Sequence, residues 1–191
     1  MLGNSLVGQM SSSFLYRQTP NLITSSRIAV VPLVIWLILA EWDSYVGRAV
    51  ALVLLVVAAS TDGIDGAIAR RRDLVSNLGK ILDPIADKAL LSGSLLALSI
   101  QGAVPWAATG LILIREIGVT LYRLAVAKKR VIAATGGGKF KTVMQIISVS
   151  LYVAPFGFFG LWYLWLSDIV LWFTVALTLW TGLRILWPKK A

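Results

Sequence analysis

Six predominantly apolar stretches recur along the chain between short polar or charged runs: Leu22 to Ala40, Arg48 to Arg70, Pro84 to Ile100, Val104 to Ala127, Thr142 to Phe158 and Ser167 to Trp187. A bilayer core about 30 Å thick takes roughly 20 residues of helix to cross, so each stretch is predicted to span a membrane. Pro32 and Pro155 fall inside stretches as potential kinks, whose freed carbonyls neighbouring helices can satisfy. No internal repeat, long linker or second domain interrupts the series. The expected fold is an all-α integral membrane protein of six transmembrane helices. Residues 1–20 would form a juxtamembrane segment and residues 21–191 a single six-helix domain.

Composition agrees, with 58% hydrophobic and only 14% charged residues over 191 positions. The formal charge of +9 invites a nucleic-acid reading, but the basic residues sit at the borders of the apolar stretches and form no single soluble face. With the N-terminus inside, Arg17, Arg27, Arg70 to Arg72, Lys80, Lys128 to Arg130, Lys139, Lys141, Arg184, Lys189 and Lys190 all fall on the cytoplasmic side. Arg48, Glu41, Asp43 and Asp168 fall opposite. The asymmetry predicts both termini in the cytoplasm of a cell-membrane protein. Trp42, Trp106, Trp162 and Trp165 are expected in an interfacial aromatic belt. Residues 1–10 lack the basic start of a secretory signal and are expected to be retained. Histidine and cysteine are absent, which removes disulfides, thiol nucleophiles, zinc sites and imidazole catalysis together. A general base must then be Asp, Glu, Lys or Tyr, and a phospholipase-D-type route through a histidine nucleophile is excluded.

The chemistry concentrates between the second and third stretches. If the second stretch stays helical through Arg70, then Asp62, Asp65, Gly66 and Ala69 lie at i, i+3, i+4 and i+7 on one face. Asp83 and Asp87 stand at i and i+4 at the start of the third, with Pro84 suited to a first turn. Two acidic edges can thus face each other across a narrow gap. Carboxylates about 4 Å apart repel by roughly 4 kcal/mol at an effective dielectric near 20, so four together require protons or cations. Two divalent metals would cancel the charge. Oxygen-only ligands favour Mg²⁺, Mn²⁺ or Ca²⁺, and paired hard metals suit phosphoryl chemistry.

The pattern D-x-x-D-G-x-x-A-R-x8-G-x3-D-x3-D is filled at every fixed position by Asp62, Asp65, Gly66, Ala69, Arg70, Gly79, Asp83 and Asp87. It resembles the signature of the CDP-alcohol phosphotransferase family. Leu82 to Lys88, Pro20 to Thr24 followed by Arg27, and Ile114 to Glu116 with Lys139 to Thr142 are similar to the branch that makes phosphatidylglycerophosphate; Ser25 and Ser26 depart from it, standing where apolar residues are expected. The resemblance implies CDP-diacylglycerol as donor, with its pyrophosphate held by two Mg²⁺ or Mn²⁺ ions on Asp62, Asp65, Asp83 and Asp87. An acceptor hydroxyl would attack the β-phosphorus, CMP would leave, and Asp87 would also be the candidate base. It further implies that Gly66, Ala69 and Gly79 let the nucleotide approach the backbone, that Arg70 contacts a phosphate, and that the protein is a homodimer in contact with membrane lipids.

An acceptor pocket is expected on the fourth and fifth helices. Glu116, Thr120 and Arg123 share a face, Arg115 adjoins Glu116, and charges in an apolar stretch should face a cavity or each other. Lys139 and Lys141 follow Gly136 to Gly138 where a helix N-terminus and lysines favour phosphate. Gly138-Lys139-Phe140 lacks the spacing and hydroxyl residue of a P-loop. The expected activity is transfer of the phosphatidyl group to sn-glycerol 3-phosphate, with Arg115, Arg123, Lys139 and Lys141 reading its phosphate. A cardiolipin synthase of the same family is the nearest rival; it would use phosphatidylglycerol and need fewer deep cations. A metal-ion transporter, the reading from another class, would carry its acidic ligands near the bilayer midplane on broken helices.

Overall fold

The structure, a computed structural model, describes the backbone of residues 29–70, 77–126, 136–155 and 159–186; side chains at 61–70, 77–87, 123, 124, 136, 137 and 186 lie outside that description. Six α-helices account for nearly all of it: α1 (Ala29–Ala40), α2 (Tyr45–Arg70), α3 (Asn77–Ile100), α4 (Trp106–Val126), α5 (Gly136–Val153) and α6 (Leu161–Leu186). No strand occurs among the described residues.

Apolar residues at helical spacing fill the interior. Val34 and Ile38 of α1, Ala51 and Leu55 of α2, Leu90 and Leu98 of α3, Ala108 and Ile112 of α4, Val149 and Val153 of α5, and Leu171 and Val175 of α6 are all buried in one cluster. α5 is central, packing on α2, α3 and α6, while α4 packs on α3 and α6. The outer surface is also apolar. Val46, Val50, Val53 and Val57 form an exposed stripe on α2, and Trp172, Phe173, Trp180 and Leu183 stand exposed on α6.

Hydrogen bonds gather three connections at one end. The turn after α3 closes with Gly102 at φ 72°, the Gly102 amide donating to Ser99 O and the Ala103 amide to Leu98 O, the left-handed glycine ending that satisfies a helix's last carbonyls. Gln101 Nε2 then donates to Ile38 O and Leu39 O at the end of α1, at 2.8 and 2.9 Å. Arg48, near the start of α2, reaches the end of α5. Its Nε donates to Val153 O at 3.1 Å and its Nη2 to Tyr152 O and Ala154 O at 3.1 and 2.6 Å. Terminal carbonyls lack helical partners and carry the negative end of the dipole, so a guanidinium there is doubly favourable. Its other face lies 4.4 Å from the Trp42 ring centre. Trp106, Trp162 and Trp165, at the starts of α4 and α6, are exposed at this same end.

Helix limits differ from the apolar stretches in instructive ways. α3 starts at Asn77, so Pro84 lies seven residues inside it and not in its first turn; its missing N–H frees the Lys80 carbonyl. Hydropathy marks where a chain becomes continuously apolar, whereas backbone hydrogen bonding starts earlier, in the mixed run 77–83, where Asn77, Lys80 and Asp83 alternate with apolar residues. α5 starts at Gly136 for the same reason. It ends at Val153, so Pro155 terminates it and does not kink it. Among the described residues one helix, Leu161–Ile185, is long and apolar enough by itself to cross a membrane, and Ala29–Ala40, Tyr45–Ser60 and Lys88–Ile100 are the apolar parts of α1, α2 and α3 whose side chains are described. Charges such as Arg115, Glu116 and Lys141 interrupt the rest. Residues 1–28, 71–76, 127–135, 156–158 and 187–191, with Arg27, Arg71, Arg72 and Lys128 to Arg130 among them, lie outside the described residues.

Candidate active site

The helical backbone runs unbroken through Asp62, Asp65, Gly66, Ala69 and Arg70 at the close of α2 and through Gly79, Asp83 and Asp87 in the opening turns of α3. The one-face spacing read from the sequence therefore applies, and α2 and α3 pack on one another. The side chains of these eight residues lie outside the described set. As donors they are four carboxylates, hard oxygen ligands whose charge matches two divalent cations, and the set fits Mg²⁺ or Mn²⁺. Among the described residues no three Asp, Glu, His or Cys side chains come together.

One residue beyond Asp87, Lys88 begins a buried polar group built from four helices. Lys88 Nζ donates to Thr120 Oγ1, which in turn donates to the Glu116 carbonyl at 2.6 Å, a bond back to the preceding turn of α4. The Glu116 carboxylate is shared by two cations through a single oxygen: Arg115 Nη1 donates to Oε1 at 2.9 Å, and Lys141 Nζ donates to the same atom. All three side chains are deeply buried, at 9%, 13% and 8% exposure for Arg115, Glu116 and Lys141. Burial of a lone charge is prohibitive, and pairing recovers most of that cost only while both partners remain. Arg115 also donates from Nη2 to Thr181 Oγ1 of α6 at 3.0 Å, and Gln145 of α5 donates to Thr178 Oγ1 of α6 at 3.5 Å. Arg115 Nε and Ser148 Oγ are buried without a hydrogen-bond partner among the described residues.

Of the four cations expected to read a phosphate, Arg115 and Lys141 are thus brought together. Lys139 is not part of the group. Two helical positions from Lys141 it points about 200° away, and it is exposed in the opening turns of α5. The Arg123 side chain lies outside the described residues. Sequence reasoning missed Lys88, Gln145, Thr178 and Thr181. A signal existed: buried Lys141, Gln145 and Ser148 at i, i+4 and i+7, and buried Thr174 and Thr178 with half-buried Thr181 at the same spacing, form polar stripes within apolar helices.

Comparison with known proteins agrees with the motif. The family described as CDP-alcohol phosphatidyltransferase matches residues 17–180. The chain is 38% identical over 149 residues to a "Probable phosphatidylglycerophosphate synthase" of Mycobacterium tuberculosis, covering 78% of this chain and 71% of that one. It is 37% identical over 177 residues to the "CDP-diacylglycerol--glycerol-3-phosphate 3-phosphatidyltransferase" of Bacillus subtilis, covering 85% and 90% of the two chains. A protein of the same description from Rickettsia bellii is 37% identical over 166 residues, with 85% and 90% covered.

Proposed function

Since the chain belongs to the CDP-alcohol phosphatidyltransferase family, we propose that it transfers the phosphatidyl group of CDP-diacylglycerol to sn-glycerol 3-phosphate, giving phosphatidylglycerophosphate and CMP. The observation that carries the choice of acceptor is the buried convergence of Arg115 and Lys141 on the one carboxylate of Glu116. A guanidinium and an ammonium kept this far from water suit a phosphate monoester, to which charge-assisted hydrogen bonds are strong. A lipid acceptor such as phosphatidylglycerol would ask less of so deep a cationic group.

In this reading Asp62, Asp65, Asp83 and Asp87 hold two divalent cations, Mg²⁺ or Mn²⁺, which would neutralise the donor pyrophosphate and the charge developing on the transferred group. Gly66, Ala69 and Gly79 leave room for the nucleotide beside the backbone, and Arg70 contacts a phosphate. Asp87 takes the proton of the acceptor hydroxyl as its oxygen bonds to the β-phosphorus. The bond from that phosphorus to the bridging oxygen breaks, and CMP departs. Arg115 and Lys141, with Arg123 and Lys139 as further candidates, hold the acceptor phosphate. Lys88 follows Asp87 directly and is tied to Thr120, so it links the acidic helix to the cationic group.

The same reading makes residues 21–191 a six-helix transmembrane catalytic domain, preceded by juxtamembrane residues 1–20, with both termini and the aspartates at the cytoplasmic face. The apolar outer faces of α2 and α6 support burial in lipid. The basic residues bordering the aspartate end support the orientation. Assembly as a homodimer rests on the family resemblance.

The test is purified protein with CDP-diacylglycerol, Mg²⁺ and a panel of acceptors, measuring CMP release and lipid product together. Phosphatidylglycerophosphate formed with glycerol 3-phosphate is the expected result. Cardiolipin formed from phosphatidylglycerol, with glycerol 3-phosphate ignored, would overturn the acceptor while leaving the reaction type.

A further inference from the structure

Gly182 lies on α6, two residues beyond the 17–180 stretch matched by the family, and nothing in the signature motif refers to it. Its position against α4 is unusually tight. A Cβ placed on Gly182 would come within 2.9 Å of both Cγ and Nε of Arg115, and 3.5 Å of Cδ. Cγ is close to the root of that side chain and cannot swing aside as a flexible tip would. The neighbouring Thr181 Oγ1 receives Arg115 Nη2 at 3.0 Å and is itself fixed, donating to Leu177 O or Thr178 O of its own helix at 2.9 and 3.0 Å. The Glu116 carboxylate holds Nη1. The stem therefore crosses bare backbone, and the guanidinium is pinned on both sides.

We infer that Thr181 and Gly182 form a seat on the last helix that orients the Arg115 guanidinium toward a phosphate-monoester acceptor. They are positioning residues and need not touch the acceptor. The inference rests on the proposed role of Arg115 and deepens it. Small residues often serve only close helix packing, but here the atoms a Cβ would strike belong to a buried cation. Moreover, Arg115 Nε, pressed against that backbone, has no hydrogen-bond partner among the described residues. A group held there without its full set of partners is held by shape. Arginine has a planar fork of five donors, two of which are committed to Glu116 and Thr181, and the others are useful only if the plane is fixed in advance.

The test compares Gly182→Ala, Arg115→Ala and the double variant in steady-state assays with both substrates varied. Gly182→Ala should raise the glycerol 3-phosphate KM by roughly ten- to a hundredfold, the scale of a misplaced binding group. The CDP-diacylglycerol KM and kcat at saturating acceptor should hold. In the Arg115→Ala background the same substitution should add little, because the group it displaces is already gone. Thr181→Val, which keeps the shape and loses the hydroxyl, should act in the same direction and Thr181→Ser should restore wild-type behaviour. These two variants carry the test if Gly182→Ala does not fold. If Arg115→Ala raises the acceptor KM while Gly182→Ala and Thr181→Val leave it unchanged, the seat is wrong and the function stands. If Arg115→Ala itself leaves the acceptor KM unchanged, the phosphate assignment falls and the seat with it.

Discussion

Arg48, half-buried, and Arg115, deeply buried, are guanidinium groups held in opposite ways. Arg48 spends its donors on three backbone carbonyls that end α5 and lays its face on Trp42. Its partners are main chain, they come from one helix end, and they leave little for a ligand to compete with. Among the described residues Arg115 is hydrogen-bonded only to side chains, one of them a carboxylate that Lys141 also claims, and its Nε has no partner. Backbone partners cannot be exchanged without unwinding a helix. Two side-chain partners fix the Arg115 plane and leave its remaining donors for an incoming anion. One end of the bundle is therefore closed by its arginine, and the other, in the proposed reading, keeps its arginine for substrate.

The sharpest way to break this contrast is at the carboxylates. Asp62→Asn, Asp65→Asn or Asp83→Asn should lower turnover about a thousandfold or more while leaving thermal unfolding unchanged, and a chelator should do the same reversibly, with Mg²⁺ or Mn²⁺ restoring activity. Activity in metal-free protein would end the two-metal reading. Asp87→Asn should reduce kcat by about a hundredfold or more with a smaller change in CDP-diacylglycerol affinity, because loss of a base acts on the transition state. Equal losses in binding and rate would leave Asp87 a ligand only.

Next in size, Arg115→Ala or Lys141→Ala should raise the glycerol 3-phosphate KM by roughly ten- to a hundredfold, since each charge-assisted hydrogen bond is worth about 1.5–3 kcal/mol. Arg123→Ala belongs to the same series. Lys139→Ala should do less, because the lysine is exposed and faces away from Lys141. Arg48→Ala should invert the pattern. It should cost about 1–3 kcal/mol of stability by freeing helix-terminal carbonyls, read as a lower unfolding midpoint in detergent, with both KM values unchanged. A KM effect at Arg48 as large as at Arg115 would erase the distinction between the two ends. The smallest effect is expected for Asp168→Asn, which weakens the contact that Tyr152 makes by donating its hydroxyl to an exposed carboxylate; under about 1 kcal/mol should be lost.

Much of this division could be read before any coordinates. The aspartates announce themselves because their spacing is fixed by the helical period, and every motif position is local in sequence. Six helices follow from six apolar runs, although runs and helices part company at Asn77, Gly136 and Pro155, where the backbone responds to hydrogen bonding and not to hydropathy. The cationic group was half legible. Arg115 and Lys141 stand out as charges in apolar surroundings, but that they share one oxygen of Glu116 depends on how α4 and α5 pack. Thr181 and Gly182 carry no charge and no motif, and their relation to Arg115 spans 66 residues of chain at Thr181. No local pattern encodes such a contact.

The clamp at Arg48 also sets a lever. It fastens the start of α2 to the end of α5, and these helices carry Asp62 and Lys141 at their opposite extremities. From Arg48 to Asp62 is fourteen residues, or about 21 Å of helix at 1.5 Å per residue. A tilt of about five degrees around the clamp therefore carries the acidic end through about 2 Å, a distance comparable to a metal–oxygen bond. In the proposed reading, where that end holds the metals, so small a rotation would shift the aspartates by about one metal–oxygen bond length.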